Sequence, residues 1–149
     1  MMLLQVNLFC TQFCKLNTAT EHRKLKNMNI EQYFEFCLSK KAVTQHFPFD
    51  EDTLVFKVGG KMFALSSLSQ WENGTPSINL KCDPERAEEL RANYNDIEPG
   101  YHMSKVHWNT VTLNGDVSDK MVSELINHSY DLVFKSLTKK LQIEINLGD

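Results

Sequence analysis

Apolar and polar positions along the chain fall into periods that can be read as elements. Ile30, Phe34, Cys37 and Leu38 recur at helical spacing and predict a helix from about Ile30 to Lys40 with one buried stripe. Asn29 can cap its start, and Gln32 three residues later completes a capping box. Lys40 and Lys41 close the last turn, where the helix dipole favours positive charge. Two apolar runs, 54–58 and 61–65, then flank Gly59-Gly60, a two-residue loop able to take the positive φ angles of a primed hairpin turn. In that register Phe56 faces Phe63 and Leu54 faces Leu65 on the core side, while Lys57 lies opposite Met62 on a partly wet side, with Lys61 at the turn.

Residues 70–76 read as a loop. Residues 77–82 alternate, with Ile78, Leu80 and Cys82 to one side and Ser77, Asn79 and Lys81 to the other. Asp83-Pro84 is a strong helix start, an acidic cap followed by proline at the first helical position, and Ala87, Leu90 and Tyr94 supply the inner stripe. Pro99-Gly100 breaks what precedes it. Residues 102–113 are expected to contain strand, and Asn114-Gly115 to turn from strand into helix. A final helical region begins at Ser118 or Asp119 and runs to about Lys139. The polar trio Asn127-His128-Ser129 between its two apolar sets suggests a kink or break, and the C-terminal residues 142–149 read as a tail that frays or adds an edge strand. Runs of strands rather than strict alternation with helices predict an α+β, two-layer domain, a mainly antiparallel sheet packed against helices.

Composition changes this picture little, but charge does. A chain of 149 residues is expected to form one domain with a sizeable core, and no apolar run approaches the ~20 residues of a membrane helix, so no membrane partner is expected. Residues 1–27 hold four Lys/Arg against one Glu, a balance of +3, whereas residues 28–141 hold twelve against sixteen Asp/Glu, a balance of −4. The first segment reads as a poorly ordered N-terminal extension, with an upstream in-frame start as one origin, and residues 28–141 as the domain. Phosphate neutralisation dominates nucleic-acid affinity, so an acidic domain would need a local basic patch to bind DNA. Cys10, Cys14, Cys37 and Cys82 lack zinc-site spacing, although Cys10 and Cys14 could share a helix face, and nothing suggests a secreted disulfide framework; a reducing cytoplasm fits.

The densest chemistry is residues 100–111, GYHMSKVHWNTV. His102 and His107 are five apart, so in one uninterrupted strand they would face opposite ways and could not share a metal. No nucleophile elbow, zinc-protease or phosphate-loop pattern occurs, and Cys82, although placed before a helix start, alternates inward. No catalytic residue, metal or cofactor is expected, and no enzyme. Lys57, Lys61, Lys81 and Lys105 fall on predicted outer strand positions or turns that a sheet could gather into a basic strip. With His102 and His107 they would contact phosphates, while Trp108 and Tyr101 stack on bases and Asn109 meets a base edge. Alternatively, Tyr101, His107, Trp108 and Asn109 line a groove for a small molecule or a protein partner. A third reading leaves the lysines solvated and packs Trp108 under a helix.

Four segments, 52–65 (DTLVFKVGGKMFAL), 79–91 (NLKCDPERAEELR), 100–111 and 128–133 (HSYDLV), resemble in order and spacing the MmcQ/YjbR family of small bacterial proteins usually described as DNA-binding. The resemblance covers roughly Met28 to Leu141. It implies a YjbR-like two-layer fold related to secretion chaperones, DNA as partner, and a double-wing mode in which two short hairpins grip the nucleic acid.

Overall fold

The glycine-centred hairpin forms as predicted and sits within a six-stranded sheet. The computed structural model describes residues 27–148, so the N-terminal extension, with Cys10 and Cys14, lies outside the described residues. The strands are β1 (Val43–His46), β2 (Thr53–Val58), β3 (Lys61–Ser67), β4 (Ser77–Lys81), β5 (Ile97–Pro99) and β6 (Trp108–Thr112). They lie side by side in the order β1-β2-β3-β4-β6-β5, every pair antiparallel. The helices are α1 (Ile30–Leu38), α2 (Leu68–Glu72), α3 (Pro84–Asn93), α4 (Asp119–Lys135) and α5 (Lys139–Leu147). All five contribute to one core against a single face of the sheet, which makes this the expected α+β, two-layer arrangement.

The ends of the helices follow the sequence closely. Asn29 and Gln32 exchange the two reciprocal hydrogen bonds of a capping box, at 2.8 and 3.0 Å. The Asp83 carboxylate accepts from the N–H groups of Glu85 and Arg86, and Pro84 opens α3. Along β4, Ile78, Leu80 and Cys82 point into the core as the alternation predicts.

Other parts depart from expectation, each for a local reason. A β-bulge lies between Phe56 and Lys57 in the ladder: Lys57 pairs with Met62, but Phe56 then pairs with Ala64, Val55 with Leu65 and Leu54 with Ser66. The extra residue lets Phe63 and Ala64 both face the core and moves Leu65 to the outer face, so the predicted pairings of Phe56 with Phe63 and Leu54 with Leu65 are replaced. In α1 the buried stripe is Ile30, Tyr33 and Cys37, with Leu38 rolled outward, because Tyr33 stacks on Trp71 and meets Phe56 edge-on, both at 5.6 Å. Trp71 belongs to α2, within what had read as loop, and its Nε1–H donates to Ser66 Oγ at 2.7 Å. The strand expected within residues 102–113 is β6, and residues 102–107 before it are loop. Finally, α4 runs unbroken through Asn127-His128-Ser129, and residues 139–147 form a helix with Ile145 buried, not a frayed tail or edge strand.

Candidate nucleic-acid interface

Alternation sends one set of side chains to the sheet face away from the helices: Val55 and Lys57 on β2, Met62 and Leu65 on β3, Asn79 and Lys81 on β4, Trp108 and Thr110 on β6. Val55, Leu65 and Trp108 form a second, small apolar cluster there, with Met62 and Met103 packed against it. Met103 comes from the β5–β6 connection, residues 100–107, which folds back over this face. Trp108 is thus covered, at 8% exposure, by a loop rather than a helix.

This connection has no regular structure, yet it is tightly held. Gly100 N–H donates to the Trp108 carbonyl at 2.8 Å. A Cβ on Gly100 would sit 2.7 Å from Trp108 Cβ, so only glycine permits this approach. Tyr101 N–H donates to Thr110 Oγ1 at 3.0 Å, Thr110 Oγ1–H donates to Asn79 Oδ1 at 2.5 Å, and Asn79 Nδ2 returns a hydrogen bond to the Tyr101 carbonyl at 3.4 Å. From α3, the Arg91 guanidinium donates to Asn109 Oδ1 at 2.7 Å, to the Trp108 carbonyl at 3.1 Å and to the Lys105 carbonyl. Sequence reading missed Arg91, Asn79 and Thr110 as the clamps of the loop. The available sign was the outward slot shared by Asn79 and Thr110 on neighbouring strands, where they are direct partners.

The predicted site residues therefore divide. Lys57 and Lys81 lie on the same outer face, one strand apart across β3 and roughly 10 Å from each other by strand spacing. Lys105, His102 and His107 are exposed on the connection at the same end. Among the described residues, the ammonium groups of Lys57, Lys81 and Lys105 have no ion-pair or hydrogen-bond partner. Lys61 is elsewhere: it pairs with Val58 on the helix-facing side and its Nζ donates to the carbonyl and hydroxyl of Ser136, capping α4 at 3.3 Å. Asn109 is 2% exposed, faces the helices, and its Oδ1 is taken by Arg91, so it offers no base-reading edge. Trp108 and Asn109, adjacent in β6, necessarily point to opposite faces, and the groove that was to join them does not form. Nor does the Gly59-Gly60 hairpin project as a wing, since Gly59 abuts Leu137 and Leu141.

Charge is segregated along the strands. Where β2 and β4 end and β3 and β6 begin lie Lys57, Lys61, Lys81 and Lys105, joined by Lys40, Lys135 and Lys139 at helix ends. Asp83, its carboxylate occupied as the α3 cap, is at this end too, with Glu85 in the first turn of α3 and Asp131 near Lys40 and His128. The opposite end carries Asp50, Glu51, Asp52, Asp96, Asp116 and Asp119. Backbone N–H groups hold the carboxylates of Asp50 and Asp116 below the usual range, although burial pushes Asp116 the other way. Burial raises the Cys82 thiol, with Arg86 only partly offsetting it, so it stays protonated despite preceding a helix start.

Similarity to known proteins accords with this architecture. The family model described as YjbR matches residues 38–132. The uncharacterised protein YbdF of Escherichia coli O157:H7 is 38% identical over 128 residues, 85% of this chain and 95% of its own length. The uncharacterised protein YjbR of Escherichia coli K12 is 34% identical over 103 residues, covering 69% of this chain and 85% of that protein. A crystal structure of a Deinococcus radiodurans protein with a DUF419 domain superposes with a TM-score of 0.74 at 41% identity, over 81% of this chain and 90% of that one. Since the matched span includes the hairpin, the α3 cap and the clamped connection alike, the chain belongs to the YjbR (MmcQ/YjbR) family.

Proposed function

We propose that this protein is a non-enzymatic, cytoplasmic DNA-binding protein that takes nucleic acid on the outer sheet face at its lysine-rich end. The observation that carries the reading is the segregation of charge: an acidic chain of net charge −3 keeps three unpaired ammonium groups, Lys57, Lys81 and Lys105, together at one end of the sheet face turned away from the helices. Fixed cations without internal partners are what phosphate contact requires, and the opposite, acidic end would orient an approaching polyanion. The family resemblance favours the same partner. The groove for a small molecule loses its basis once Trp108 and Asn109 are buried on opposite faces.

The test is fluorescence anisotropy with labelled DNA at low salt. The triple variant Lys57→Glu/Lys81→Glu/Lys105→Glu should lose at least tenfold in affinity, whereas Lys120→Glu, at the acidic end, should bind like the parent. Equal loss in both, or none in either, would overturn the assignment of the surface.

A further inference from the structure

We propose that the nucleic acid bound here is single-stranded, with the Tyr101 ring as its stacking platform; this rests on the DNA-binding reading above and specifies its partner. Tyr101 is 70% exposed, an unusual state for a large aromatic whose backbone is fixed on both sides. Its N–H is held by Thr110 and its carbonyl by Asn79, so the ring is presented from an immobile base. The His102 ring stands 4.0 Å from it, centroid to centroid, at 55°. His102 itself has φ +56°, a conformation non-glycine residues seldom take and one that gathers where ligands are gripped. Asn79 and Lys81 project from the same side of β4 two residues apart, which places an unpaired cation roughly 7 Å along the strand from the amide that holds Tyr101.

An exposed ring beside unpaired cations at the edge of a sheet face free of helices is the arrangement that binds unpaired bases, because every base has a face on which an aromatic can stack. A duplex hides those faces. Reading a duplex through its major groove needs a helix or a two-stranded ribbon that enters it, yet all five helices pack on the other side of the sheet and the β2–β3 hairpin tip is tucked against Leu137. A duplex also presents about one charge per 1.7 Å, which an acidic molecule is poorly equipped to neutralise.

The experiment compares a labelled thymine oligonucleotide of about fifteen nucleotides with the same strand annealed to its complement, using the full chain at low salt. The single strand should bind at least tenfold more tightly. Tyr101→Ala should lower single-strand affinity about tenfold and Tyr101→Phe should not; because the side chain is exposed, both variants keep the fold. Duplex affinity equal to or above that of the single strand, or an unchanged Tyr101→Ala, would overturn this inference while leaving DNA binding standing. Binding to neither form would overturn both.

Discussion

Ser129 is wholly buried on α4, and its hydroxyl joins two backbone groups that the sheet leaves apart. The β3–β4 ladder ends at the Ala64–Leu80 pair, next to the bulge; beyond it, Ser129 Oγ–H donates to the Phe63 carbonyl at 2.5 Å and its oxygen accepts from Lys81 N–H at 2.8 Å. Ser129→Ala leaves a buried donor and acceptor unpaired and should cost about 1–3 kcal/mol, seen as a lower urea midpoint with unchanged slope. Its neighbour His128 accepts from Asp83 N–H through Nε2 at 3.2 Å, which requires a neutral ring. Burial, with Arg86 adding to it, lowers the His128 pKa. The folded state therefore takes up this proton less readily than the unfolded chain: the contribution is complete above about pH 6.5 and drains away as pH falls from there toward the folded value. Urea midpoints at about pH 7 and pH 5 should differ more in the parent than in His128→Gln. The lowered Asp50 and Asp116 carboxylates cannot mimic this, as their contribution is lost only below about pH 4. A polar trio that reads as a helix break is thus a tie between α4, the sheet and the α3 cap. One-dimensional periodicity cannot reveal that, because the partners of Ser129 are 48 and 66 residues away.

Elements whose ends are written in local chemistry were legible: the capping box of α1, the cap and proline of α3, the glycine pair of the hairpin, the alternation of β4. The hairpin allows a sharp comparison. Gly59 and Gly60 have φ of +57° and +79°, but a Cβ on Gly59 would lie 2.6 Å from Leu137 Cδ1 whereas Gly60 has open space around it. Gly60→Ala should cost about 1–2 kcal/mol for the left-handed backbone alone, and Gly59→Ala distinctly more, by thermal or urea unfolding. Illegible elements were those defined by distant partners. The edge strands β1 and β5 are four and three residues long, too short to show a period, and exist because β2 and β6 offer them open edges. Residues 102–107 mix strand-forming and polar types, and clamps from elsewhere in the chain, Arg91 with Asn79 and Thr110, hold the connection back over the sheet. Arg91→Lys replaces a planar fork that reaches three acceptors by a single ammonium, so amide hydrogen exchange across residues 101–107 should accelerate by about tenfold or more while the core stays protected.

At the scale of the whole molecule, net charge and local charge point in opposite directions, and their difference is measurable. Summed over the sequence the chain is acidic, which by itself argues against a polyanionic partner. The strand register sorts those charges by end, something no count along the chain could show, since Lys57, Lys81 and Lys105 are separated by 24 residues in each interval and meet only through the β2-β3-β4-β6 order. Of the eight residues predicted to touch nucleic acid, Asn109 faces the helices, Trp108 is covered on the outer face by the connection that folds back over it, and Lys61 lies on the helix side because it sits in register with Val58. What survives is a compact cationic end, and counterion release converts its size into a slope. Each phosphate neutralised on a single strand contributes about −0.7 to the dependence of log affinity on log salt, so three lysines predict a slope of about −2. Lys81→Gln should make it shallower by about 0.7, and Lys120→Gln should leave it alone. A titration from low to moderate salt gives the value directly. A slope near zero would mean that the ammonium groups at this end do not meet phosphate at all, whatever affinity is measured, and would move the partner from nucleic acid to an uncharged one.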